Sequence, residues 1–171
     1  MKYILKLAAI LLVITAVVAG LLGFVNQLTA DKIAENTNKK AQEAMQTVLP
    51  AESYTPLEVT AKDITAAYKA ENGYVVRLNA MGFGGTIDLM VGVDLNGTVT
   101  GISVISHSET ASLGAECTRA EWQSQFVGTK GDLQVTKDGG TIDALTGATV
   151  TSRAVTEAVN RAVEFVKEVQ G

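Results

Sequence analysis

The stretch TIDLMVGVDLNGTVTGISVI, residues 86–105, decides the fold class. Thr86 to Val93 is rich in apolar residues and predicts a central strand. Asp94-Leu95-Asn96-Gly97 predicts a hairpin turn, because Asn-Gly readily adopts positive φ. Val99 to Ile105 completes the hairpin. Upstream, Ile64 to Lys69 is a candidate strand, Glu71-Asn72-Gly73 a turn, and Tyr74 to Leu78 the next strand. Gly82-Phe83-Gly84-Gly85 then forms a glycine-rich loop leading into Thr86. No helix stands between consecutive strands, so the expected sheet is antiparallel.

Downstream of Ser106 the texture changes. Glu116 to Phe126 predicts a short helix carrying Trp122 and Phe126, and residues 128–140 are polar and turn-rich. Ser152 to Val169 reads as an amphipathic helix. Val155, Ala158, Val159, Ala162, Val163, Val166 and Val169 share one stripe, with Glu157, Arg161, Glu164 and Lys167 elsewhere. The expected body is therefore α+β, an antiparallel sheet with flanking helices.

The N-terminal region has a different character. Leu7 to Val25 is an uncharged run of 19 residues, enough as a helix to cross a hydrocarbon core of roughly 30 Å. A signal peptide has a shorter apolar region, about 7–15 residues, followed by a small-residue cleavage site. Leu28-Thr29-Ala30 matches such a site poorly, so an uncleaved anchor is the reading adopted. Lys2 and Lys6 precede the span, and the first basic residue beyond it is Lys32. Proximity favours an N-terminus inside, whereas a simple count that includes Lys39 and Lys40 does not. The expectation is a single-pass protein of the cytoplasmic (inner) membrane with its body on the outer side. Leu28 to Leu49 continues as a stalk helix, with Ile33, Thr37, Ala41, Ala44, Met45 and Val48 at helical steps. Pro50 stops it. The expected divisions are an anchor at 1–27, a stalk at 28–50 and a domain at 51–171.

Charge and cysteine content narrow the function classes. With Lys2 and Lys6 set aside, 12 basic residues face 18 acidic ones, a net of −6. A chain so acidic has no basic stripe for a phosphate backbone, so nucleic acid is not an expected partner. Cys117 is the only cysteine and His107 the only histidine. An internal disulfide, an iron–sulfur site and a histidine metal site are therefore ruled out, and no metal is expected. No Gly-x-Gly-x-x-Gly follows a strand, so NAD is not expected to bind here.

The segment DALTGATVTS, residues 143–152, is small, hydroxyl-rich and placed directly before a helix. Unpaired amides and a partial positive charge at a helix start suit a phosphate. Gly147 and Ala148 leave room for a bulky group, and Thr146, Thr149, Thr151 and Ser152 supply hydroxyls. Hydroxyl residues before a helix are also the usual N-caps. Spacing alone favours the cap over the phosphate site.

The same segment resembles the covalent flavin-attachment motif Asp-x-x-[Ser/Thr]-Gly-Ala-Thr of FMN-binding domains. These domains occur in the G subunit of the Rnf complex and in the C subunit of the sodium-pumping NADH:quinone reductase. The motif falls on Asp143, Thr146, Gly147, Ala148 and Thr149. Gly82 to Ile87 and Met90 to Asp94 are similar to the family's glycine-rich loop and following strand. His107 to Gly114 resembles His-x-Glu-Thr-Pro-Gly-Leu-Gly, with Ala111 in place of Pro and Ser112 in place of Gly. Those two departures predict a less rigid loop. The anchor, stalk and short length look more like the Rnf protein than its longer quinone-reductase counterpart.

The resemblance implies one FMN held covalently on Thr149 through a phosphoester. It implies a cofactor site drawing on Asp143, Thr146, Gly147, Ala148, Glu109, Thr110 and Leu113, and no catalytic residue. Asp143 then serves recognition or turn geometry. The bond would be made by a separate flavin transferase of the ApbE type with FAD as donor. Expected partners are the other Rnf-type membrane subunits, in a complex coupling ferredoxin oxidation and NAD⁺ reduction to Na⁺ or H⁺ movement. The chain would be a redox carrier rather than a complete enzyme. The alternatives are a free-standing anchored flavoprotein serving an extracytoplasmic acceptor, and an interaction module that lost its cofactor. His107 is read as a loop residue or a flavin-pocket residue, Trp122 as a core anchor or a stacking partner, and Cys117 as chemically silent. Asp88 is read as a surface position and Asp94 as a turn residue.

Overall fold

The computed structural model describes residues 2–59 and 61–171; Met1, at the head of the expected anchor, and Thr60 lie outside. Helix α1 runs Lys2–Val48 without a break. One compact unit ends at Lys39, and a second covers Lys40–Gly171. In the first unit, Lys2–Ala30 is long and apolar enough to cross a membrane, and none of its most apolar window is buried. Beyond it, Glu35 pairs with Lys39 at 2.7 Å and Lys32 at 3.2 Å on the exposed helix surface. Ile33, placed at a helical step of the stalk stripe, is exposed.

The second unit contains the sheet. Strands β1 (Thr55–Leu57), β2 (Ile64–Ala70), β3 (Gly73–Met81), β4 (Thr86–Asp94) and β5 (Val99–His107) lie side by side in chain order. All four pairings are antiparallel. The expected class is observed, and the four longer strands fall where the apolar runs and turns place them. Asp94 is the turn residue expected. Its carboxylate accepts from the Asn96 and Thr98 amides, both at 2.8 Å, and Gly97 takes a φ of +74°. Burial works against the charged form of Asp94, yet those amides outweigh it and hold the carboxyl below its ordinary value.

Both faces of the sheet are covered, so the period-two alternation sorts residues into two cores. Tyr74, Val76, Leu78 and Ala80 on β3, with Ile87, Leu89, Val91 and Val93 on β4, face the larger core. Helix α3 (Thr149–Gln170) closes that face with Val155, Ala158, Val159, Ala162, Val163 and Val166. On the opposite face Val75, Met90 and Ile105 pack against Ala41, Ala44 and Val48 from the last turns of α1. The close seat of α1 depends on two paired glycines, Gly92 on β4 and Gly101 on β5. A β-carbon at Gly92 would overlap the Val48 carbonyl oxygen. The pairing slips between Gly92 and Val93, so Thr100 is an extra residue on β5. The bulge puts Val99 and Ile102 in the same core, and the Thr100 hydroxyl donates to the Val48 carbonyl.

Four details differ from the sequence reading. Helix α3 begins at Thr149, three residues earlier than expected, since the packing of α3 on the sheet outweighs the low helix propensity of Thr-Val-Thr. Val169 is exposed, because the helix has run past the sheet by its last turn. Residues 114–126 form no single helix. Two 3₁₀ turns, Gly114–Thr118 and Ser124–Phe126, flank the short α2, Ala120–Gln123, and Arg119 breaks the run with an extended φ, ψ of −71°, 126°. Asp88 is no surface group. It is 14% exposed and binds Arg77 through two contacts of 2.6 and 3.0 Å between β3 and β4.

Candidate functional site

The start of α3 is built from a glycine turn and a serine staple. The Ala148 amide donates to the Leu145 carbonyl at 3.0 Å, closing a turn in which Gly147 takes a φ of +74°. A side chain there would be strained. The Ser152 hydroxyl donates to the Ala148 carbonyl at 3.0 Å and accepts from the Leu145 amide at 2.9 Å. The N-cap position is Ala148, with no side-chain cap. The cap reading of the hydroxyls therefore fails, and the first-turn amides keep their donors uncapped by any side chain.

The four hydroxyls have separate fates. Ser152 and Thr151 are fully buried. Thr151 donates to Glu109 Oε2 at 2.6 Å, and Ser152 is spent on the staple. Thr146 is exposed on the turn. Thr149 is half-buried at the first helical position, and its Oγ1 accepts a hydrogen bond of 2.9 Å from Lys137 Nζ.

Lys137 is not singled out by the sequence. It sits on a 3₁₀ turn, Thr136–Asp138, whose next residue, Asp138, makes a bidentate pair of 2.6 Å contacts with Arg153 on α3. The guanidinium holds the Asp138 carboxyl below its usual range. The only signal is a basic residue in a polar, glycine-containing stretch 12 residues before Thr149.

Glu109 ties the glycine-rich loop to α3. Its Oε1 accepts from the Gly84 amide at 2.9 Å while Oε2 takes the Thr151 hydroxyl. β-Carbons at Gly82 and Gly114 would both overlap this carboxylate, so those glycines make room for it. Thr110 is exposed, and its carbonyl accepts from the Leu113 and Ala115 amides at 3.2 and 3.1 Å. Leu113 is 43% exposed, with a methyl 3.0 Å from where a Gly147 β-carbon would stand. The loop between them carries Ser112 at a φ of +61°. A left-handed serine costs about 1–2 kcal/mol, partly offset by the chain entropy a glycine would lose. Ser112→Gly is thus expected to stabilise the protein by about 0.5 kcal/mol, read as a higher denaturant midpoint at unchanged slope. A lower midpoint would contradict the strain.

Asp143 is fixed by its backbone. Its carbonyl accepts from Trp122 Nε1 at 2.7 Å and its amide donates to Gln125 Oε1 at 2.7 Å, leaving the carboxylate exposed. Trp122 is 7% exposed and meets Phe126 edge-on with centroids 5.2 Å apart, which makes it a core anchor. An open groove of about 600 Å³ runs beside the motif past Leu113, Trp122, Gln125, Asp143 and Thr146. A hollow of about 620 Å³ between β3 and the flank of α3 contains none of the motif residues. His107 does not line the groove beside the motif. Its Nδ1 accepts from the Glu109 amide at 3.2 Å, and its side chain borders a hollow beneath the end of α1. Among the described residues no group of three acidic, His or Cys side chains is placed to hold a metal.

Cys117 is fully buried in the larger core. Burial, helped by the nearby charge of Glu109, pushes its thiol up to about 11. The thiolate is the reactive form. The folded protein at pH 7.5 is therefore expected to resist maleimide, and full labelling should require denaturant. Rapid labelling of the native protein would refute this.

Residues 82–164, which include β4, β5 and most of α3, match the family model for the FMN-binding domain. Residues 1–48 match the RnfG N-terminal region. Among similar proteins, the G subunit of the ion-translocating oxidoreductase complex of Methanosarcina acetivorans is 36% identical, over 99% of this chain and 98% of the relative. The G subunit of the proton-translocating ferredoxin:NAD(+) oxidoreductase complex of Clostridium ljungdahlii is 43% identical over 64% of this chain and 63% of its own length. The chain belongs to the family of G subunits of ion-translocating oxidoreductase complexes. The crystal structure of the C subunit of Na(+)-translocating NADH-quinone reductase from Parabacteroides distasonis shares the fold, with a TM-score of 0.57 at 18% identity over 83% of this chain and 94% of that one.

Proposed function

We propose that this chain is the FMN-carrying electron-transfer subunit of an ion-translocating oxidoreductase complex, with the flavin phosphate esterified to Thr149. The observation that carries the reading is the sorting of hydroxyls at the head of α3. Thr151 and Ser152 are buried and hold the fold together, whereas Thr149 stands at the helix start beside a lysine ammonium. The groups around it suit a phosphate: first-turn amides, the helix dipole and one cation. Gly147 lets the backbone pass close by Leu113, whose exposed methyls supply apolar surface. Asp143, Thr146 and Ala148 shape the turn, and Glu109, Thr110 and Leu113 shape the loop packed beside it.

When bound, FMN supplies one- and two-electron redox chemistry, and the protein orients and tunes it. In the attachment, the Thr149 hydroxyl loses its proton and its oxygen bonds to the FMN-side phosphorus of FAD. The pyrophosphate bond breaks, and AMP leaves with the displaced oxygen. A separate flavin transferase of the ApbE type performs this step, so Thr149 needs no base of its own.

The same reading divides the chain into an anchor at 1–27, a stalk at 28–50 and the flavin domain at 51–171. The N-terminus lies on the inner side of the cytoplasmic membrane and the flavin domain on the outer side, alongside the other members of the complex. To test it, the full chain is produced with a flavin transferase, denatured, and inspected for flavin fluorescence on the gel band. Peptide mass should add FMN minus water to Thr149. A wild-type band without covalent flavin would overturn the attachment. An impermeant maleimide should reach a cysteine introduced in the stalk of intact cells; labelling only after disruption would reverse the orientation.

A further inference from the structure

We propose that Lys137 is the counter-ion of the phosphate on Thr149, a positioning residue held for that purpose by the turn that carries it; the inference rests on flavin attachment at Thr149. The turn is tightly specified. Val135 bridges to Ile142, the Thr136 amide donates to the Ile142 carbonyl at 2.8 Å, and the Ile142 amide donates to the Gln134 carbonyl at 3.1 Å. Gly139 reverses the chain at a φ of +89°, and a β-carbon at Gly140 would overlap the Gln134 carbonyl oxygen. Two neighbouring residues then reach α3 side by side, Lys137 to Thr149 and Asp138 to Arg153.

That division of partners is the informative point. Asp138, the acid next in sequence to Lys137, is taken by Arg153. Lys137 forms no ion pair among the described residues, and its ammonium rests on a neutral hydroxyl instead. An exposed bond from an ammonium to a neutral hydroxyl gains little over solvation by water. The arrangement gains strength once the hydroxyl oxygen carries a phosphodiester, which places a negative charge next to that ammonium. Its other two N–H donors are then available to phosphate oxygens. The first-turn amides of α3 act on the same charge from the helix side.

The test compares wild type, Lys137→Gln and Lys137→Arg as full-length proteins in detergent, each made with and without a flavin transferase. Two quantities are read: the rate of covalent labelling by purified transferase and FAD, and the difference in melting temperature between loaded and unloaded protein. Lys137→Gln is expected to slow labelling roughly fivefold, the effect of one exposed charge contact. It should also lose the stabilisation of about 2 °C that loading gives wild type at low salt. Lys137→Arg should restore both, and roughly 0.5 M NaCl should erase the wild-type increment. If Lys137→Gln labels at the wild-type rate and keeps the increment, the proposal is wrong. An equal fall in melting temperature with and without flavin, at unchanged labelling rate, marks a purely structural lysine and also overturns it. Absence of covalent flavin from wild type would instead remove the underlying reading of Thr149.

Discussion

Thr149→Ala, produced with a flavin transferase, is expected to lose all covalent flavin while its stability stays within about 0.5 kcal/mol of wild type. The two halves of this result come from different observations. Thr149 is only half-buried, and its single side-chain bond is to an exposed lysine, so its removal leaves the core and the serine staple intact. Chemically the loss should be complete, because no other hydroxyl can take its place. Thr151 and Ser152 point into the fold, and Thr146 lies three residues back, across the glycine turn. Thr149→Ser keeps an oxygen at the same position and should retain flavin. Fluorescence of the denatured band and intact mass measure the outcome. Covalent flavin persisting in Thr149→Ala would place the tether elsewhere.

Gly92→Ala is expected to cost about 3 kcal/mol, the upper end for one inserted methyl group, without touching the flavin site. The new methyl would overlap the Val48 carbonyl oxygen and crowd the Thr100 hydroxyl that binds it. Both neighbours belong to fixed backbone or to a bulge, so neither has room to withdraw. The last turns of α1 should lift from the sheet and expose Val75, Met90 and Ile105. The melting temperature should fall by about 10 °C. Limited proteolysis should begin near residues 48–54, while Thr149 still accepts flavin. An unchanged melting temperature would mean that α1 is not seated on the sheet as described.

Much of this architecture is legible in the sequence because short-range rules fix it. The apolar run from Thr86 to Val93 marks a central strand, Asn96-Gly97 makes the turn, and the valine and alanine stripe marks α3. The site is legible only in part. Resemblance singles out Thr149, but spacing suggests that the nearby hydroxyls cap the helix. The fold shows Ala148 at the cap and two of those hydroxyls turned inward. Lys137 is illegible for a clear reason. It meets Thr149 through a bridge between Val135 and Ile142, a tertiary contact with no periodic signature. Glu109 is half legible. The loop motif names it, yet its bonds to the Gly84 amide and the Thr151 hydroxyl span 25 and 42 residues. The half-buried Arg77–Asp88 pair likewise depends on the pairing of two strands.

The order of elements along the chain has a further consequence, for biosynthesis. The five strands are joined in sequence, so each hairpin can zip as it emerges, with little loop entropy to overcome. The helix that covers their larger apolar face follows every one of them. Between the appearance of β5 and the arrival of α3, Leu78, Ile87, Leu89 and Val91 lack the helix that completes their core. In that interval the nascent domain is open to self-association and to proteases. The same helix begins at Thr149, the proposed acceptor, so a transferase that requires the finished turn at its head would label only chains that had passed this vulnerable stage.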